Sequence, residues 1–346
     1  QAWGFGASGV KYDLTVLLTR ITFPYILLIS FVAFFMGVLN SLRHFSAPAA
    51  APIFLNVGII GAACLISPYL SEPIVGVGIG VLIGGMLQVG LQIPWIVKSG
   101  LKLVPQWQPG HPAVKRIVIL MLPAIFGSAV YQLSSYMGTL LASFLAEGSV
   151  SWLYYADRIV QFPLGVFAIA VSTAALPSLS TQAAKKNLEE FGDTLTHSLR
   201  LVFFIILPSM LGLIILGKPI IQILLERGAF DAISTRMTNQ ALFFYTLGLW
   251  AFSGTRIMVA AFYALQDTKT PVKIAFAAFV AYVTLGLALM GPLKHGGLAF
   301  ALSLSSAFHF FLLIFFLKRK VPVIRLRPVI VSALRSVLAA TVMGAG

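Results

Sequence analysis

The sequence predicts an all-α polytopic membrane protein: a two-lobed bundle of the transporter type, with parallel six-helix repeats, about nine complete transmembrane helices and a truncated tenth. Three observations carry this. The 346 residues are 59% hydrophobic and only 10% charged, with a mean hydropathy of +0.95. A soluble domain runs near a quarter charged, and so few charges could not cover a core of this size. The apolar residues fall in runs of the length a bilayer-spanning helix needs, ~20 residues. Two stretches of the chain also repeat each other.

The runs, in order, are Ile21–Leu42, Pro52–Tyr69, Ile74–Val97, Ile117–Leu145, Val150–Leu179, Leu199–Leu225, Met237–Leu265, Val272–Leu293 and Gly297–Leu317, with a shorter one from Val329. The fourth, fifth and seventh approach thirty residues, so they should tilt or kink. Pro163 and Pro208 are the expected break points of the fifth and sixth. Alternating ten-residue segments do not recur, which argues against a membrane barrel.

The basic residues of the connections sort into two sets. Fifteen (Arg43, Lys98, Lys102, Lys115, Arg116, Lys185, Lys186, Arg200, Lys269, Lys273, Lys318, Arg319, Lys320, Arg325 and Arg327) lie at the ends of the odd-numbered runs and in the connections after them. Six (Lys11, Arg20, Lys218, Arg227, Arg236 and Lys294) lie on the other side. The positive-inside rule places the first set in the cytoplasm. The net charge of +14 is thus a topology signal rather than a nucleic-acid patch, because membrane spans separate the charges.

The repeat pairs Gly37-Val-Leu-Asn-Ser-Leu-Arg-His-Phe-Ser-Ala-Pro48 with Ala260-Ala-Phe-Tyr-Ala-Leu-Gln-Asp-Thr-Lys-Thr-Pro271, an offset of 223. Each ends a span, makes a polar turn and places Pro near the start of the next span, where it is tolerated. The copies lie six spans apart, so they share an orientation and form a parallel repeat. The chain begins at Gln1 and stops inside an apolar run at Gly346. Both ends read as cuts through a longer protein, with about three helices expected before Gln1. The expected organisation is a periplasmic segment (1–20), the second half of an N-terminal lobe (21–98), a cytoplasmic linker (99–116), a C-terminal lobe (117–320), and a linker with a truncated extra helix (321–346).

Few polar groups are placed to do chemistry. Cys64 lies alone in an apolar run and reads as a small buried residue. His44, His111, His197, His295 and His309 make no metal spacing, and His309 reads as a hydrogen-bonded packing residue inside a span. No nucleophile motif, phosphate loop or dinucleotide fingerprint occurs, so neither an enzyme nor a cofactor is expected. Gly76, Gly78 and Gly80 read as close-packing residues. Asn40, Asn56, Gln132, Ser134, Ser135 and Tyr136 read first as interhelical hydrogen bonders, with Asn56 kept as a supporting site residue.

The exceptions are charges inside spans, which cost at least ~2.5–3.5 kcal/mol and usually face a cavity or a partner. Arg256 lies ~14 Å deep at 1.5 Å per residue, beyond what snorkelling covers fully. Arg158 lies about two turns into its span, with Gln161 three residues on. A guanidinium and an amide on one face suit a phosphate or carboxylate. Asp157 cannot pair with Arg158 by adjacency and reads as a supporting, orienting group. Arg158, Gln161 and Arg256 are therefore the candidate substrate-binding residues, supported by Asp157 and Asn56.

Tyr154-Tyr-Ala-Asp-Arg-Ile-Val-Gln-Phe-Pro163 and Leu176-Pro-Ser-Leu-Ser180 resemble the lipid II flippases of the MurJ (MviN) family. Supporting stretches are Ile21-Thr-Phe-Pro-Tyr-Ile-Leu-Leu-Ile-Ser30, Ala142-Ser-Phe-Leu-Ala146, Phe262-Tyr-Ala-Leu-Gln-Asp-Thr-Lys-Thr-Pro-Val-Lys273 and Gly291-Pro-Leu-Lys-His-Gly-Gly297. The resemblance implies a monomeric carrier in the bacterial inner membrane. It would move the lipid-linked disaccharide-peptide precursor of peptidoglycan by alternating access, through a cationic central cavity, with membrane lipids and no nucleic acid as partners. It implies a cavity arginine at Arg158, an acidic position replaced by Gln161, and a basic match at Arg256. Some relatives hold sodium with carboxylates in the spans comparable to the fourth and eighth here, and these contain no Asp or Glu. The alternative is a cation-coupled multidrug or polysaccharide-lipid exporter of the same superfamily, with Asp157 as its carboxylate.

Overall fold

The computed structural model describes residues 9–42, 44, 46–100 and 111–345, and among these every regular element is helical. Arg43 and Lys102 of the expected cytoplasmic set, and much of the expected N-terminal segment and inter-lobe linker, lie outside the described residues. So do the side chains of Lys11, Lys115 and Arg116. The chain divides into two compact units, Gln1–Lys115 and Arg116–Gly346.

The first unit holds α1 (Val10–Thr22), α2 (Tyr25–Ser41), α3 (Ser46–Leu65) and α4 (Pro73–Lys98). Only Phe23 and Pro24 separate α1 from α2, so the span runs Tyr12–Asn40, 29 residues. It begins before the expected Ile21 because Asp13 and Arg20 interrupt the apolar run without interrupting the helix. Glycine sets how closely α3 and α4 approach. A Cβ on Gly58 would lie 2.5 Å from the Gly84 Cα, and one on Gly84 would lie 2.8 Å from the Leu55 carbonyl. Gly85 receives the Tyr25 ring closely, and Gly78 faces α1 side chains at ordinary contact distance. The glycines thus act as the close-packing surface expected of small residues in membrane helices. Gln88 ties the package together, donating to the Ala51 carbonyl at 3.1 Å and accepting from the Tyr25 hydroxyl at 3.3 Å. Cys64 is exposed rather than buried. In a span, an apolar side chain that faces lipid pays no penalty for leaving the protein interior.

The second unit contains α5 (Pro112–Ser143), α6 (Ser149–Pro163), α7 (Ala170–Ala184), α8 (Leu188–Leu225), α9 (Ala232–Thr246), α10 (Leu249–Ala264), α11 (Lys269–Lys320) and α12 (Arg327–Ala345). Its core runs through Phe191, Leu195, Leu199, Ile206, Ile257, Phe262 and Leu313, all nearly inaccessible. Phe162 and Ile223 are more than 70% exposed, as lipid-facing side chains are.

The two prolines behave differently. After Pro163 the chain makes a π-helical turn, Leu164–Ile169, before α7 resumes, so α6 and α7 form one span over Ser149–Ala184. Such turns absorb a missing backbone donor. Pro208 does not break α8 as expected; the helix continues through it, as membrane helices allow when freed backbone groups find other partners.

The seventh run, Met237–Leu265, which its length marked for a tilt or kink, is bent by 45° between α9 and α10. Gly248 sits at the bend, and a Cβ there would lie 2.7 Å from the Ser303 Cα. The Ser303 hydroxyl donates to the Phe244 carbonyl at 2.7 Å, satisfying a helix end that would otherwise be orphaned. α11 joins two expected spans across a kink at Lys294 (φ 52°, ψ −132°). Beside the kink, a ring nitrogen of buried His295 lies 2.9 Å from the Met237 carbonyl. Side-chain caps start α8 (Asn187) and α9 (Asp231), and Asp267, just before the N-cap of α11, accepts from the Thr270 N–H. The Ser234 N–H holds the Asp231 carboxyl below its usual range.

Candidate functional site

A cavity of about 530 Å³ lies within the second unit, inside the range of small-ligand sites. Its lining follows from helical periodicity. α6 contributes Val150, Leu153, Tyr154, Asp157, Val160 and Gln161, and the π turn after it Leu164, on a stripe that recurs every three to four residues. The second half of α11 contributes Leu298, Leu302, Ser305, Ser306 and His309 on a similar stripe, and its first half contributes Ala278, Phe279 and Tyr282. α10 adds Phe252, Thr255 and Arg256, α9 adds Tyr245, and α5 adds Ser134, Ser135, Gly138 and Thr139. The bend before α10 and the kink in α11 position two of these faces.

Three of the five residues singled out in the sequence therefore share one cavity: Asp157, Gln161 and Arg256. The Gln161 amide donates to the Asp157 carboxylate at 3.1 Å. Gln161 thus works with Asp157, four residues before it, rather than with Arg158. The i,i+4 pair stacks one residue above the other along the helix. Arg158 is not part of this lining. One residue on from Asp157, it turns about 100° around the helix. Its guanidinium lies exposed over the Tyr154 ring, 4.7 Å from the centroid. Asn56 lies in the first unit, exposed on α3. Arg256 is exposed to the cavity and has no ion pair among the described residues.

His309 departs from its expected role. It lines the cavity, and its Nε2 is buried with no hydrogen-bond partner among the described residues, as is the Thr255 hydroxyl. Tyr245 stands within electrostatic reach of both Asp157 and Tyr282. These residues were missed in the sequence because each looks like ordinary packing by itself. The signal was the stripe from Leu298 to His309, which places hydroxyls and an imidazole on one face. The cavity of this unit is thus mixed in charge. Arg256 and Asp157 supply one charge of each sign, and the hydroxyls of Thr255, Ser306, Tyr245 and Tyr282 can donate or accept. Such a site can hold an anionic, hydroxyl-rich group with its charge set against Arg256.

The chain matches the family model described as lipid II flippase MurJ over residues 3–346. It is 39% identical over 301 residues to a probable lipid II flippase MurJ of Vibrio cholerae, covering 87% of this chain and 57% of that protein. It is 36% identical over 323 residues to the lipid II flippase MurJ of Burkholderia cenocepacia, covering 92% of this chain and 63% of the relative. The chain thus spans little more than half the length of such relatives. A solved lipid II flippase MurJ in an inward closed conformation superposes with a TM-score of 0.84 at 28% identity, covering 98% of this chain and 70% of that one. A transporter of the MOP superfamily from Pyrococcus furiosus shares the fold, with a TM-score of 0.63 at 15% identity. Helical spans, the α6 segment and the superposed architecture agree: this chain belongs to the MurJ family of lipid II flippases, a family of transporters rather than enzymes.

Proposed function

We propose that the protein carries the lipid-linked disaccharide-peptide precursor of peptidoglycan across the bacterial inner membrane by alternating access. Arg256 and Gln161 hold the anionic headgroup in the cavity, and Arg158 engages it from the neighbouring face of α6. The observation that carries this reading is an arginine deep in a span, without an ion pair among the described residues, facing a cavity large enough for part of a polar headgroup. At about 530 Å³ the cavity takes a portion of the headgroup, not all of it, and the prenyl tail stays in lipid. A single chain acts alone in this scheme, with membrane lipids around it. Exchange between inward- and outward-open states moves the two lobes about the bound group, as in other repeat-built transporters.

The test uses the full-length protein in cells depleted of their own flippase. Arg256→Ala, at normal membrane abundance, is expected to lose growth rescue and the appearance of precursor on the outer leaflet. Arg256→Lys should retain part of both. Full rescue by Arg256→Ala would remove this arginine from the site. Export of cationic dyes that requires Asp157 would favour a multidrug exporter instead.

A further inference from the structure

Among the described residues, Asp157 is the one acidic residue lining the cavity of the second unit. Its carboxylate accepts from the Gln161 amide, and it has no ion pair among the described residues. Arg158, the nearest cation in sequence, lies over the Tyr154 ring at 4.7 Å from its centroid, outside the lining but within electrostatic reach of Asp157. The other titratable or charged groups facing the cavity are Arg256 from α10, His309 and Tyr282 from α11, Tyr245 from α9 and Tyr154 from α6 itself. α5 contributes no titratable group to the lining. No cluster of three His, Cys, Asp or Glu that could hold a metal ion occurs among the described residues.

An anion entering this space meets one cation, Arg256, and one carboxylate. Like charges sharing a low-dielectric site repel strongly, and such a site is relieved when one of them takes a proton. The cavity has the parts for delivering that proton. The His309 Nε2 and the Thr255 hydroxyl are buried without partners, and Ser306 lies on the same stripe of α11 as His309. Orphaned polar groups around a cavity of this size are what ordered waters bridge.

We propose that Asp157 is a proton-binding site linked to the headgroup: binding of an anionic phosphate group in this cavity is accompanied by uptake of one proton at Asp157. The proton arrives through water hydrogen-bonded to His309. A hydronium gives it up and is left as water, and an O–H bond forms at the carboxylate oxygen turned away from Gln161. The bound pair of ligands is then the anion against Arg256 and a neutral Asp157. Linkage makes the effect reciprocal, so anion affinity falls by up to about tenfold per pH unit while a whole proton is taken up. This rests on the reading that the cavity receives the headgroup's anionic part.

The experiment is titration calorimetry of the full-length protein in lipid nanodiscs with inorganic diphosphate, in two buffers of different ionisation enthalpy. The difference in heat counts protons. The parent is expected to take up about one more proton per diphosphate than Asp157→Asn. Infrared difference spectra on adding diphosphate should show a protonated carboxyl band that this variant lacks. His309→Gln should slow the band's appearance without changing the count. Binding without this excess uptake, or the same uptake in Asp157→Asn, overturns the proton site and leaves the anion site standing. No binding by the parent overturns both.

Discussion

The two units put apolar helices to opposite ends. In the first, α3 and α4 meet where both lack side chains, and the Gly58 and Gly84 backbones close on each other. In the second, α6 stands off from the packed pair α10 and α11 around polar and aromatic side chains, leaving a cavity lined by Asp157, Arg256 and His309. The difference teaches that in a membrane bundle small residues weld, while larger polar ones keep a space open. Lipid gives no hydrophobic drive for helices to associate, so their spacing is left to local shape.

Placing a leucine in each region should break the symmetry of outcome most visibly. Gly58→Leu forces backbone apart and is expected to destabilise the first unit by ~1–3 kcal/mol or more, read as a drop in unfolding temperature in detergent. Ser306→Leu adds a larger side chain to the cavity lining of the second unit. It should leave the unfolding temperature nearly unchanged while abolishing growth rescue. Equal losses of stability would mean that the cavity is as tightly packed as the glycine seam.

A smaller effect is expected at the bend that shapes the cavity. Ser303→Ala removes the donor to the Phe244 carbonyl, costing ~1–2 kcal/mol for the unsatisfied group. Spin labels on α9 and α10 should report a broadened bend. An unchanged distance distribution would show that Gly248 alone sets the angle.

The smallest effect concerns a polar turn outside the spans. Burial pushes the Asp267 carboxyl up, but hydrogen bonds from Lys320 and Thr270 outweigh it and hold the pKa at about 2. A carboxyl depressed in the fold stabilises above its unfolded pKa, and that contribution is lost as pH falls from about 4 towards 2. The pair is open to water on the Lys320 side, so the loss should be at most about 1 kcal/mol. Asp267→Asn should flatten this acid limb of the unfolding curve and change little at neutral pH.

The architecture was legible because membrane spans announce themselves by length and composition. Ile74–Val97 and Leu199–Leu225 each fall within an observed helix, α4 and α8. The length of the seventh run marked it for a bend, but the positions of breaks were less legible. Pro208 carries the strongest sequence mark for one and passes through a continuous helix, whereas the actual bend depends on Gly248 and on Ser303, 55 residues further along. A contact between distant residues has no local signature. The same holds for the site. Arg256 stood out because charge in a span is costly, but α6 was read through Arg158, whose side chain lies outside this cavity, while Asp157 lines it. His309 and Thr255 became visible only once the surrounding helices gave them a common space.

Photocrosslinking from the cavity wall is the most direct test of the central claim, that the second unit's cavity receives the headgroup. A photoreactive amino acid at Phe252, which lines the cavity, or at Phe162, which lies 71% exposed on α6, would be incorporated into the full-length protein in cells. The account predicts adducts with the precursor's sugar-peptide portion at 252, lost on adding Arg256→Ala, and none at 162. Headgroup adducts at 162 with none at 252 would contradict it.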